Sequence, residues 1–236
     1  MNAKRVTLTA MVVFAFCAIA TAAPILITNG NFSDVPITCG GYAYQYFGGN
    51  CNSNPPQQDF NGTQGFGWTL IIKSGIGLTA PNSAFQPPDF TGLPFTQALF
   101  LQDGASTAYQ ALGGFSANTN YVLSFYIGSR YAEGGGDDGN QTVQVTMDGV
   151  ALFTISLKSF TPFMLEEVPF SVPTDGTHTL AFNGLNPGDH TAFVSGVSIT
   201  EVPEPASLLL LGAGIGLVRR RFRQRSIEAH VPAPRA

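Results

Sequence analysis

Few side chains in this sequence are placed for chemistry, and the spacing of those few excludes more than it offers. The histidines are His178, His190 and His230, and no His-Glu-x-x-His pattern joins any of them, so a zinc peptidase is excluded at the motif level. There is no Gly-x-Ser-x-Gly nucleophile elbow, and no phosphate-cradling or dinucleotide-binding glycine pattern. Glycoside hydrolysis needs two apposed carboxylates. Glu166 and Glu167 are adjacent on an apparent strand, so they point to opposite faces and cannot be that pair. No catalytic residue is assigned, and the chain reads as a non-enzyme with no metal ligand set.

What remains suits binding. Arg130 ends a strand pattern in a body poor in cations; it reads either as a ligand donor or as the partner of Glu133. The loop "EGGGDDGN" (133–140) gathers Asp137 and Asp138 among glycines. It can touch sugar hydroxyls or calcium, or be a solvated hairpin loop, and it lacks the alternating acids of an EF-hand. Trp68 is the single tryptophan, open to two readings: a sugar-stacking face or a core residue. Tyr42, Tyr44 and Tyr46 share a parity, and so line one face or cover one end of the body. Trp68, Arg130, Asp137 and Asp138 are the expected ligand-binding residues.

The elements that must position them are strands. Apolar–polar alternation marks 119–130, 141–149, 149–160, 166–173, 176–185 and 190–200, with earlier candidates at 67–75, 96–104 and 106–115. Gly, Asn, Asp and Pro separate them. No amphipathic helix stands out between residues 24 and 200. Stretches 48–66 and 80–96 read as polar or Pro-rich loops. The expectation is an all-β fold, a β-sandwich or jelly roll over residues 23–200.

The two ends differ in kind from this body. Lys4 and Arg5 precede a mostly apolar run, and Ala20-Thr21-Ala22 supplies a small-residue cut before Ala23, so residues 1–22 read as a secretory signal. Between residues 23 and 205 stand three basic residues against fourteen acidic ones, a net charge of −11, because eight of the eleven Lys and Arg lie in the terminal segments. Such a body repels phosphate backbones, which excludes nucleic acid as a partner. Cys39 and Cys51 are the cysteines of the exported part. They read as one disulfide in an oxidising compartment, the alternative being two free thiols.

The apolar run from Ala206 to Val218 forms a helix of roughly 20 Å, short against a bilayer core of about 30 Å. Pro203-Glu204-Pro205 precedes it, and Arg219, Arg220 and Arg221 open the basic cluster behind it. Pro-Glu-Pro, apolar run and arginines in this order resemble the PEP-CTERM sorting tag of Gram-negative bacteria. The resemblance implies an exosortase-type processing enzyme as partner, cutting at or near Pro203-Glu204-Pro205. It also implies transient lodging in the inner membrane, with the arginines held cytoplasmic. Residues 201–225 are then the tag, with a short transmembrane helix, and 226–236 a cytoplasmic tail.

The body carries its own resemblance. "ITNGNFSD" (27–34), "GW" (67–68), "QALFLQDG" (97–104), "YVLSFYIGSR" (121–130), "VQVTMDG" (143–149) and "TAFVSGVSI" (191–199) are similar to the march of a galactose-binding-like jelly roll. Relatives that hold a structural calcium carry acids near where Ser33 and Ser195 stand here, which argues against calcium; no cofactor is assigned. Together the two resemblances imply an exported, non-catalytic surface or extracellular-matrix protein of a Gram-negative envelope that associates with exopolysaccharide. The alternatives are a carbohydrate-active enzyme and a structural matrix protein without a ligand.

Overall fold

The computed structural model describes residues 24–71, 75–131 and 138–203. The expected signal and tag helices and the 226–236 tail lie outside the described residues, with Ala20, Ala22, Ala23, Asp137, Glu204, Pro205, Arg219, Arg220 and Arg221. Among the described residues there is no helix, and so none long and apolar enough to cross a membrane.

The described strands are β1 (Pro24–Ile25), β2 (Tyr42–Gln45), β3 (Gln57–Gln58), β4 (Thr69–Leu70), β5 (Ile76–Thr79), β6 (Ala98–Gln102) and β7 (Thr107–Phe115). They continue with β8 (Asn120–Ser129), β9 (Thr142–Met147), β10 (Val150–Ser156), β11 (Met164–Ser171), β12 (Gly176–Gly184) and β13 (Thr191–Glu201). They form a two-sheet sandwich. The larger sheet runs β11-β8-β13-β6-β5-β2-β3, with β1 also on β13; the smaller runs β10-β9-β12-β7-β4. Every pairing is antiparallel except β2 with β3.

Alternation builds the core between the sheets. Tyr121, Leu123, Phe125 and Ile127 of β8 are all buried, as are Val143 and Val145 of β9 and Leu180 and Phe182 of β12. Each such side chain contributes roughly 1.5–3 kcal/mol through burial. The strand β6 is different, because all five of its residues are buried. Leu99 and Leu101 enter the sandwich core, whereas Ala98 and Phe100 face outward into a second cluster with Phe85, Phe90, Phe95 and Phe193. The 80–96 segment, read from sequence as a polar or Pro-rich loop, is a loop whose rings form an aromatic cover over the outer face of the large sheet. Phe85 packs 4.3 Å from Phe100, and Phe95 5.4 Å from Tyr126.

The N-terminal stretch is wired into this frame. Asn29 donates to Phe66 O at 3.3 Å and accepts from Asp34 N at 3.0 Å. A Cβ on Gly30 would sit 2.2 Å from the Val197 carbonyl oxygen, so only glycine allows this approach to β13. Ser195 is fully buried, with its hydroxyl against the Gln97 and Asn31 carbonyls.

Candidate functional site

At one end of the sandwich β6 and β8 finish and β13 begins, and the segments around 103–106, 129–131, 138–141, 157–161 and 185–190 meet there. Backbone bonds tie them: Arg130 N to Thr191 O, Thr191 N to Asp138 O, Asp138 N to Asp189 O, and Phe160 N to Arg130 O, at 2.8–3.1 Å. Gln141 locks the same corner from inside. Fully buried, it donates to His190 O at 2.7 Å and accepts from Asn186 N at 2.8 Å and Leu185 N at 3.2 Å.

Arg130 anchors the outer side of this end. Its guanidinium lies 4.8 Å from the centre of the Phe85 ring and 3.3 Å from Asp189 Oδ1. Phe85 also stacks on Tyr42 and meets Tyr44 edge-on. Tyr44 donates its hydroxyl to Gln102 Oε1 at 2.6 Å. Burial, followed by the Asp189 charge, pushes the Tyr44 phenol up to about 12, so it stays a neutral donor. Thr191 pairs opposite Gln102 and is fully buried; its hydroxyl has no hydrogen-bond partner among the described residues. Aromatic walls with a few convergent polar groups are the usual make-up of a small-molecule or sugar site.

Beside them Asp138 accepts a very short hydrogen bond from His190 Nδ1, and also takes Asn140 N and Asn140 Nδ2. Burial raises the Asp138 carboxyl, but these bonds outweigh it and hold the group below the usual carboxylate range. The rim carries an exposed aromatic pair. Tyr131 and Phe160 meet edge-on with ring centres 4.6 Å apart, and Phe160 is 62% exposed with φ +66°. The left-handed region disfavours a bulky side chain, so the fold holds this ring out to solvent at a conformational cost.

The expected ligand-binding residues separate here. Arg130 and Asp138 lie at this end, and Arg130 pairs with Asp189; Glu133 lies outside the described residues. Trp68 is corrected to the core: it is 2% exposed, packs between Phe32 and Phe182, and donates Nε1 to Asn29 O at 3.2 Å, so it presents no face to a sugar. Cys39 and Cys51 form a disulfide. Tyr42 and Tyr44 join the outer aromatic layer, whereas Tyr46 is half exposed. Phe85, Gln102, Asp189, His190 and Phe160 were not singled out as site residues. Asp189 and His190 follow the Asn-Pro-Gly turn signal at 186–188, which marks a loop but not what faces it. Pro203, the described member of the tag triplet, is exposed. Among the described residues no three His, Cys, Asp or Glu side chains converge as a metal site.

Residues 201–224 match the PEP-CTERM protein-sorting motif. The chain carries a PEP-CTERM sorting motif. That motif implies export, surface sorting and processing by an exosortase. No curated protein matches the chain. Among solved structures, it is similar to a Stig cyclase from Fischerella sp. TAU at 18% identity and a TM-score of 0.53, covering 78% of this chain and 99% of the cyclase. An apo cyclase from Fischerella sp. aligns at 18% identity and 0.52, over 78% of this chain and 98% of that one. These likenesses show the sandwich fold alone. A xylan-binding domain from Paenibacillus barcinonensis aligns at 12% identity and 0.39, over 61% of this chain and 92% of that domain, too little to argue from.

Proposed function

We propose that this PEP-CTERM protein is a non-catalytic surface or extracellular-matrix protein of a Gram-negative envelope, and that its galactose-binding-like sandwich binds polysaccharide at the end carrying Arg130. The exposed Phe160 carries the reading. A fold that keeps an aromatic ring in solvent, in a backbone region suited to glycine, beside Tyr131 and the Arg130–Asp189 pair, has the makings of a sugar platform. The ring offers an apolar face to the C–H side of a pyranose, and the ion pair offers both donors and an acceptor to hydroxyls. Delivery by the sorting motif to a polysaccharide-rich surface supports the same reading.

The enzyme reading has one observation in its favour, the Asp138–His190 pair. The lowered Asp138 carboxyl weighs against it, because a glycosidic general acid needs a raised one.

Titration of the exported protein with a glycan panel tests the proposal. Phe160→Gly is expected to weaken binding about five- to tenfold while raising stability by up to about 1 kcal/mol, since glycine suits a positive φ. Binding unchanged in that variant would remove the platform, and steady release of reducing ends from any bound glycan would favour the enzyme.

A further inference from the structure

Resting on the glycan reading above, we infer that the Arg130 site takes neutral polysaccharides with vicinal hydroxyls and rejects uronic-acid or otherwise anionic ones. The charge balance at this end carries the inference. Its cations are Arg130, Lys158 and, when protonated, His190. Opposing them are Asp103, Asp138 and Asp189. Of these, Arg130 and His190 are also committed, whereas Lys158 is exposed. The Arg130 guanidinium is 3.3 Å from Asp189, and His190 Nδ1 is on Asp138. A carboxylate arriving at Arg130 would have to displace Asp189, leaving two carboxylates against one guanidinium in a side chain only 13% exposed. Poorly solvated charges repel strongly, and the exported body as a whole, at net −11, adds no compensating field.

A neutral diol meets no such penalty. Vicinal hydroxyl oxygens lie about 2.8 Å apart, close to the donor–acceptor spacing of a charged pair, so one can accept from Arg130 while its neighbour donates to Asp189. The other polar groups are neutral too: the Tyr44 hydroxyl on Gln102, and the fully buried Thr191 hydroxyl with no partner among the described residues. No further cation faces the site from 85–89 or 102–106, the segments packed against Arg130 and Asp189.

The test uses the exported protein with galactomannan and dextran as neutral probes and alginate and polygalacturonate as acidic ones, at low salt and at 0.5 M salt. A neutral probe is expected to bind at least tenfold more tightly than either acidic one at low salt. The gap should narrow in high salt as repulsion is screened. Asp189→Asn is expected to raise acidic relative to neutral affinity about tenfold, and a neutral diol to bind more weakly for want of its acceptor. Equal or tighter binding of uronates by the parent protein overturns the charge argument while leaving glycan binding intact. Binding of no probe, acidic or neutral, overturns the glycan reading and this inference with it. A neutral preference that Asp189→Asn leaves unchanged also overturns it, because the selection would then lie elsewhere.

Discussion

The two histidines of the sandwich each meet an aspartate, at opposite ends. His178 lies near the start of β12, where β13 finishes and the chain continues toward the sorting motif; His190 stands just before β13 begins. The eleven residues of β13 separate these ends by roughly 30 Å. At the first end the ring is sealed. His178 Nδ1 is 2.5 Å from Asp148 Oδ2, Nε2 is 2.9 Å from Thr174 O, and Phe115 closes over the ring edge-on at 5.3 Å. Both partners only accept, so the site favours the doubly protonated, cationic ring. At the other end Nδ1 alone is engaged, and Nε2 has no partner among the described residues in a side chain 29% exposed. The same pair of residue types thus serves as a structural rivet at one end and as an open rim group at the other. Pro24 pairs with Thr200, so both ends of the exported body leave from the riveted end.

The comparison is sharpest in stability. Replacing His178 with Ala should cost about 3 kcal/mol, from two lost buried hydrogen bonds and the hole left under Phe115. His190→Ala should cost less than about 1 kcal/mol, as surface changes do. Urea unfolding with the disulfide intact measures both, and equal costs would dissolve the distinction between the ends.

A smaller, signed effect comes with pH. The bonds to Asp148 and to the Thr174 carbonyl, working against burial, hold the His178 pKa above its ordinary value. Its stabilisation is therefore complete below about 6.5 and fades as pH rises through the raised folded value. Burial pushes the Asp148 carboxyl up, but the bonds from His178 and Thr179 N outweigh it and hold the carboxyl low. Its share is present above about 3.9 and is lost as pH falls through the depressed folded value. Melting curves of the parent and His178→Phe between pH 4 and 9 should differ most in the mildly acidic range and converge on the alkaline side. A difference that grows with pH would mean that the ring is buried neutral. The smallest effect belongs to the open pair: His190→Ala should lower glycan affinity about threefold, the loss of one exposed hydrogen bond, with only a small change in melting temperature.

Much of this was legible in the order of residues. The alternation in 119–130, 141–149 and 176–185 places β8, β9 and β12 within a residue or so at most ends, because a period-two pattern is a local property of the chain. The strands β2 and β5 escaped notice. They are four residues each: β2 alternates only between half-buried and buried, beneath the aromatic cover, and β5 is buried at every position. Nothing in "IGLT" announces a strand until Phe100 on one side and the sandwich core on the other are in place. The Phe-rich segment 80–96 is the Pro-rich loop its sequence announced, but that its rings close the outer face of the large sheet was not legible, because the face they cover is made by distant strands.

The sequence by itself determined the sorting motif, the all-β body, its acidity and the isolated cysteine pair. Each rests on composition, on contiguous motifs or on local periodicity, which need no knowledge of what lies across the fold. Only the tertiary structure decided that Trp68 is a core residue and that Arg130 belongs with Asp189. It also decided that the two histidines have different lives and that Phe160 stands in solvent. Those facts depend on pairs 39, 59, 30 and 52 residues apart in sequence meeting through sheet register. Register is set by the burial of whole faces and not by any one segment.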